Sequence, residues 1–169
     1  MYSVVHGGVD RELRAHSIDF LSSLPFDGMA IGGSLGRDRA EMADLLGFLS
    51  PRLPPHLPVH LLGIADPDSV ALGVPLGFDT FDSCFPTRVA RHGSLLTRAG
   101  TLHIRATKHV ADFGPIDPET PTIDCSRAYL HHLFRQKEPL YHTLASMHNV
   151  CYMNRLMAGL RQKILADEI

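Results

Sequence analysis

The chain has 169 residues, 44% of them hydrophobic and 20% charged, a make-up that fits an ordinary globular domain and excludes a disordered or low-complexity chain. It has no apolar run of about 18 residues, and Met1 to His6 lacks a basic segment leading into an apolar one, so neither a membrane span nor a secretory leader is expected. A formal net charge of −2 excludes a polycationic nucleic-acid coat, but not a local basic site.

Met1 to Gly8 reads as a short strand around Val4-Val5 that ends in Gly7-Gly8. Arg11 to Leu24 follows with Leu13, Ile18, Leu21 and Leu24 at helical intervals, closed by Pro25. Phe26 to Ile31 is a second strand, ended by Gly32-Gly33, and Arg39 to Leu49 sets Met42, Leu45, Leu46 and Leu49 on one helical stripe. Beyond a Pro-rich connector, Val59 to Ile64 reads as a buried strand and Pro67 opens a short helix through Leu76. Phe78 to Phe85 completes a fourth strand. Strands alternating with helices predict a parallel sheet, with Gly-rich strand ends on the rim where (β/α) barrels place their chemistry; four units make half a barrel. From Ser94 the pattern changes to two short β pieces, a loop from Phe113 to Asp124, and helices at about 126–135 and 141–166. The expected organisation is therefore 1–93, four βα units, and 94–169, a β insertion, a loop and terminal helices.

Asp79 and Asp82 sit at odd separation on the fourth strand and so point to opposite faces. Asp82, nearer the strand end, is the candidate nucleophile, base or ligand. From Ser83 to Ala111 the chain carries Arg88, Arg91, Arg98, Arg105 and Lys108 with no acidic residue, a local charge suited to phosphate as well as to a solvated face. Cys84, Cys125 and Cys151 form no disulfide framework and fit a reducing cytoplasm. Cys125 and His148 are two soft donors, half of what a closed zinc site needs, and helical histidines such as His131, His132 and His148 are more often packing or surface residues.

Together, Phe81-Asp82 with Pro86-Thr87-Arg88 and Arg91-His92-Gly93, then Ser126-Arg127-Ala128-Tyr129-Leu130-His131-His132-Leu133, then His148-Asn149, resemble the tRNA-guanine transglycosylase family. The resemblance runs from Val5-His6-Gly7-Gly8 to Leu156 through Arg161. It implies an α/β fold, the C-terminal half of a (β/α)8 TIM barrel with an inserted zinc-binding subdomain. The implied activity is exchange of guanine at the tRNA wobble position for queuine or a 7-deazaguanine precursor. Asp82 would be the nucleophile that holds the ribose. His6, in the place of the family's usual Gln, and Gly32-Gly33 would bind the base. Gly63, Ile64, Ala65, Asp66, Pro67, Asp68 and Ser69, with Thr87, Arg88, Val89, Ala90 and Arg91, would contact tRNA.

The family's chain is about twice as long, and its N-terminal half carries the aspartates that grip the base and move protons. Its zinc ligands are a Cys-x-Cys-x-x-Cys cluster and a distant His. Here Thr120 and Thr122 stand at two of the thiolate positions, leaving Cys125 and His148, so zinc is expected to be weak or absent. The expected partners are tRNA, the guanine or 7-deazaguanine base, and either a second copy of the chain or a subunit that supplies the N-terminal half. A half barrel leaves sheet edges open, which also favours association. A non-catalytic tRNA-binding or dimerisation subunit that pairs with an intact transglycosylase is the alternative, and an unrelated half barrel for phosphate-containing small molecules ranks last.

Overall fold

A computed structural model describes residues 1–118 and 123–169. The chain divides into two compact units, Met1–Ser83 and Cys84–Ile169. The boundary falls ten residues before the one expected, because the segment after Cys84 folds as a helix whose buried Ala90 joins the core of the second unit.

The first unit is a four-stranded parallel sheet in the order β1 (Tyr2–Val5), β2 (Gly28–Ile31), β3 (Val59–Leu61), β4 (Thr80–Phe81). The expected alternation is present: α1 (Arg11–Ser22), α2 (Arg39–Leu49) and α3 (Pro67–Gly73) follow the first three strands. Each helix is started by an aspartate whose carboxylate accepts from first-turn amides that have no helical partner: Asp10 from Glu12 and Leu13, Asp38 from Glu41, and Asp66 from Ser69. The core joins Val5, Met29, Ile31, Val59 and Leu61 of the strands to Ile18, Met42, Leu45, Leu46 and Leu49 of the helices. Each such side chain contributes about 1.5–3 kcal/mol by leaving water.

Three expectations change on contact with this packing. In α1 the inward stripe is Arg14, Ile18 and the partly buried Leu21, whereas Leu13 is 58% exposed; a fully buried arginine takes the place expected for a leucine. The helix from Pro67 gives way to a 3-10 turn at Val74–Leu76, where Pro75 has no N–H to donate. The fourth strand pairs only through Thr80 and Phe81, since the chain turns after Asp82 into a helix with Pro86 in its first turn.

The second unit begins with that helix, α4 (Phe85–Arg91), whose last turn carries the basic residues Arg88 and Arg91. An antiparallel hairpin follows, β5 (Ser94–Thr97) with β6 (Gly100–His103), then α5 (Arg127–Gln136) and the 27-residue α6 (Pro139–Leu165). Its own core unites Ala90, Leu95, Ile104, Ile116, Leu130, Leu133, Tyr141 and Ala145. Asn149, fully buried on α6, satisfies its whole amide: Oδ1 accepts from Leu96 N at 2.9 Å, and Nδ2 donates to Pro86 O at 2.9 Å and Ser94 O at 3.0 Å. The Tyr141 hydroxyl donates to Ala90 O at 2.8 Å. Thus α6 is latched to β5 and α4 by polar groups that leave no unpaired acceptor behind. No helix among the described residues is long and apolar enough to cross a membrane.

Candidate active site

Strand register assembles the site. Val4 pairs with Ala30, Ala30 with His60 and His60 with Thr80, so these four residues form one row across one face of the sheet. Side chains repeat every two residues, so the next row on that face is His6, Gly32, Leu62 and Asp82. Hydrogen bonds from Gly32 N to Val5 O and from Leu62 N to Ile31 O carry the pairing on to this row. A Cβ on Gly32 would lie 3.0 Å from both Leu62 Cδ1 and Val4 Cγ1, so the row is closely spaced there. The sheet therefore brings His6, Gly32 and Asp82, expected separately from sequence, to its C-terminal rim.

Asp82 is exposed, with 58% of its side chain open, yet one of its oxygens is fixed. Oδ1 accepts from Gly63 N at 2.9 Å and from His60 Nε2 at 3.0 Å. Among the described residues Oδ2 accepts no hydrogen bond. The Gly63 amide, with the His60 imidazole second, holds the carboxyl below the ordinary carboxylate range, against the opposing effect of partial burial. Because a carboxylate can only accept, His60 Nε2 carries the proton, and Nδ1 of the same ring lies 2.8 Å from the Thr80 hydroxyl. Asp79, in contrast, is structural: its Oδ2 accepts from Val59 N at 2.7 Å at the start of β3.

The remaining expected residues divide by exposure. Gly63 has φ +75° and supplies the amide to Asp82. Asp66 caps α3 and, with Asp68, pairs with Arg39 at 2.9 and 2.5 Å. Ser69 is 2% exposed and gives its hydroxyl to Asp66. On α4, Arg88 and Arg91 are exposed and three residues apart, hence on one side, whereas Ala90 is fully buried. Of the residues expected to meet tRNA, Ser69 and Ala90 are too buried for direct contact with a ligand.

The described residues matching the family model of queuine tRNA-ribosyltransferase are part of a match that spans residues 1–169. The chain belongs to the queuine tRNA-ribosyltransferase family. Proteins of that name from Protochlamydia amoebophila, Chlamydia pneumoniae and Chlamydia caviae are 47%, 45% and 46% identical to it, over the whole of this chain and 44%, 46% and 46% of theirs. The chain spans about half the length of these curated relatives.

The family's zinc, expected to be weak or absent here, would have Cys125 and His148 as its donors among the described residues. Cys125 is half-buried, and burial, with Asp124 beside it, pushes its thiol above the ordinary value, away from the thiolate a metal needs. His148 is fully buried, and its Nε2 donates to Leu96 O at 2.8 Å. Burial lowers its pKa, so the ring is held neutral, outweighing the Leu96 carbonyl and Asp117. Thr120 and Thr122 lie outside the described residues, and among the described residues no group of three or more His, Cys, Asp or Glu could hold a metal. Cys125 and His148 are two of the four donors a closed zinc site needs.

His60 and Arg14 are the residues that sequence reasoning missed. His60 was submerged in what read as a continuous apolar strand. Its signal was the alternation of Val59, His60 and Leu61, which becomes informative only with the register opposite Thr80.

Proposed function

We propose that this chain provides the nucleophile-bearing half of a tRNA-guanine transglycosylase, which replaces guanine at the wobble position by queuine or a 7-deazaguanine precursor. The observation that carries this proposal is Asp82: ionised, pinned through Oδ1 by Gly63 and His60, and open at Oδ2.

Oδ2 attacks C1′ of the wobble ribose as the bond from C1′ to the guanine nitrogen breaks, and that bond's electron pair leaves with the base. The carboxylate suits an oxocarbenium-like centre, as in retaining glycosidases. The nitrogen of the incoming base then attacks C1′, loses its proton, and releases Asp82 as carboxylate. The residues that protonate the departing guanine belong, by the family resemblance, to the segment corresponding to the N-terminal half. In this proposal that segment closes the barrel against β1 and β4, which stand at the two ends of the strand order.

His6 and Gly32-Gly33 bind the base, and Thr87, Arg88 and Arg91 bind nucleotides or phosphates of the tRNA. The proposed partners are tRNA, the guanine or 7-deazaguanine base, and either a second copy or an N-terminal-half or intact transglycosylase subunit. The proposed site of action is the cytoplasm, where tRNA is processed, with zinc weak or absent.

The test is incorporation of labelled guanine into tRNA by this chain in its native assembly. Uptake that disappears in Asp82→Asn, with tRNA binding kept, supports the enzyme. Uptake unchanged by that substitution overturns Asp82 as nucleophile. Binding of tRNA with no uptake in any assembly favours the non-catalytic subunit.

A further inference from the structure

Arg14 is among the largest fully buried side chains of the described residues, and no carboxylate there pairs with it. Burial lowers its pKa, as expected for a cation withdrawn from water, although arginine remains charged at any physiological pH. Its guanidinium instead spends its donors on three carbonyl groups. Nη1 donates to Val5 O at 2.8 Å, Nε to Gly8 O at 2.8 Å and Nη2 to Ser34 O at 3.0 Å. Two of these carbonyls lie on either side of His6-Gly7, at the end of β1. The third lies directly after Gly32-Gly33, at the end of β2.

The backbone is shaped around this side chain. At Gly7, φ is +143°, and a Cβ would stand 2.9 Å from Arg14 N and 3.1 Å from Arg14 Cγ, so only glycine lets β1 turn this closely over α1. At Gly33, φ is +75°, and a Cβ would stand 3.4 Å from His6 Nδ1 and 3.9 Å from Arg14 Nη2. The planar fork bonds to both loops at once, and its fixed geometry sets the separation of the carbonyls it holds. A packing leucine at this position could fill the volume but could not hold three carbonyls.

We propose that Arg14 is a positioning residue for base recognition: it clamps the His6-Gly7-Gly8 and Gly33-Ser34 loops to one another, so that His6 and the Gly32-Gly33 backbone meet the base as a preformed pair. This rests on the proposed function for the base itself, whereas the clamp stands on geometry alone. Arg14 touches no substrate and acts through the loops.

Two readouts separate the clamp from the base. In the 169-residue chain, amide hydrogen exchange is compared for Arg14→Met, Arg14→Lys and the core control Ile18→Ala, at a temperature set equally far below each variant's Tm. Arg14→Met is expected to speed exchange by about tenfold or more in both the 6–10 and 33–36 segments. Arg14→Lys, which keeps charge and some donors, should restore part of the protection, and Ile18→Ala should leave both segments near wild type. Acceleration in one segment alone, or equal acceleration in Ile18→Ala, overturns the clamp.

In the native assembly, Arg14→Met is expected to raise KM for guanine by about tenfold or more while kcat falls by less than about threefold. A fall in kcat with KM unchanged overturns the role in base recognition. If wild type takes up no guanine, the functional reading fails and takes that role with it, while the exchange result still decides the clamp.

Discussion

His60 Nε2 lies 3.0 Å from Asp82 Oδ1, while the opposite nitrogen of the same ring lies 2.8 Å from Thr80 Oγ1. The imidazole thus bridges two residues that share a face of β4 and its extension, and it fixes the carboxylate without occupying its second oxygen. His60→Phe keeps a ring and removes the donor. Asp82 then loses one of the interactions that favour its ionised form, so its pKa rises, while the larger contribution from Gly63 N remains. The sign follows directly: a nucleophile that must be ionised loses activity as pH falls through its pKa, so the acid limb of the rate profile moves to higher pH in His60→Phe. A less well held carboxylate should also lower kcat by about 10- to 100-fold. The check is kcat against pH for wild type and variant. Superimposable profiles would remove His60 from the site.

Asp112 organises the loop ahead of α5. Its Oδ2 accepts from His109 Nδ1 at 3.0 Å and from Arg127 Nη1 at 3.2 Å, and its Oδ1 accepts from Gly114 N at 3.3 Å. His109 first, then Arg127 and Gly114, hold the carboxyl below its ordinary value. A carboxyl whose folded pKa is depressed gives stability that is complete above the unfolded value and is lost as pH falls toward the folded one. Asp112→Asn should therefore cost about 1–3 kcal/mol near neutral pH, and less as the solution is acidified through the carboxylate range. Urea unfolding at several pH values tests this. An equal cost at every pH would assign the effect to packing.

For metal, the expectation is a gain of function. Thr120→Cys with Thr122→Cys restores the thiolates that the family pattern places beside Cys125 and His148. The double variant should hold about one zinc per chain, where the natural chain holds well under that when purified without added metal. Stoichiometric zinc in the natural chain contradicts the proposal.

The fold was legible wherever a local pattern and a cap agreed. The stripe of Met42, Leu45, Leu46 and Leu49 behind Asp38 gave α2 its observed bounds, Arg39–Leu49. What stayed hidden needed partners distant in sequence. Leu13 and Arg14 are adjacent on α1, and periodicity favours the leucine for the core; the arginine is inside because three carbonyls from two loops converge on it. Likewise α4 offers a narrow buried side, Pro86 and Ala90, among basic residues, so its helical pattern was faint. Asp82 was legible as a strand-end carboxylate, whereas the roles of His60 and Gly63 in holding it came from the pairing of β3 with β4. His148 and Asn149 stood out as a motif; in the fold both bond to backbone of the hairpin segment, Asn149 to Leu96 N and Ser94 O and His148 to Leu96 O.

The most direct measurement is to trap the covalent intermediate: the native assembly is incubated with tRNA without added base, denatured, and the RNA-bound peptide identified by mass spectrometry. An adduct on the peptide containing Asp82, absent in Asp82→Asn, is the predicted result. Guanine exchange that proceeds with the adduct on another residue, or with the same yield in Asp82→Asn, would contradict the account at its centre.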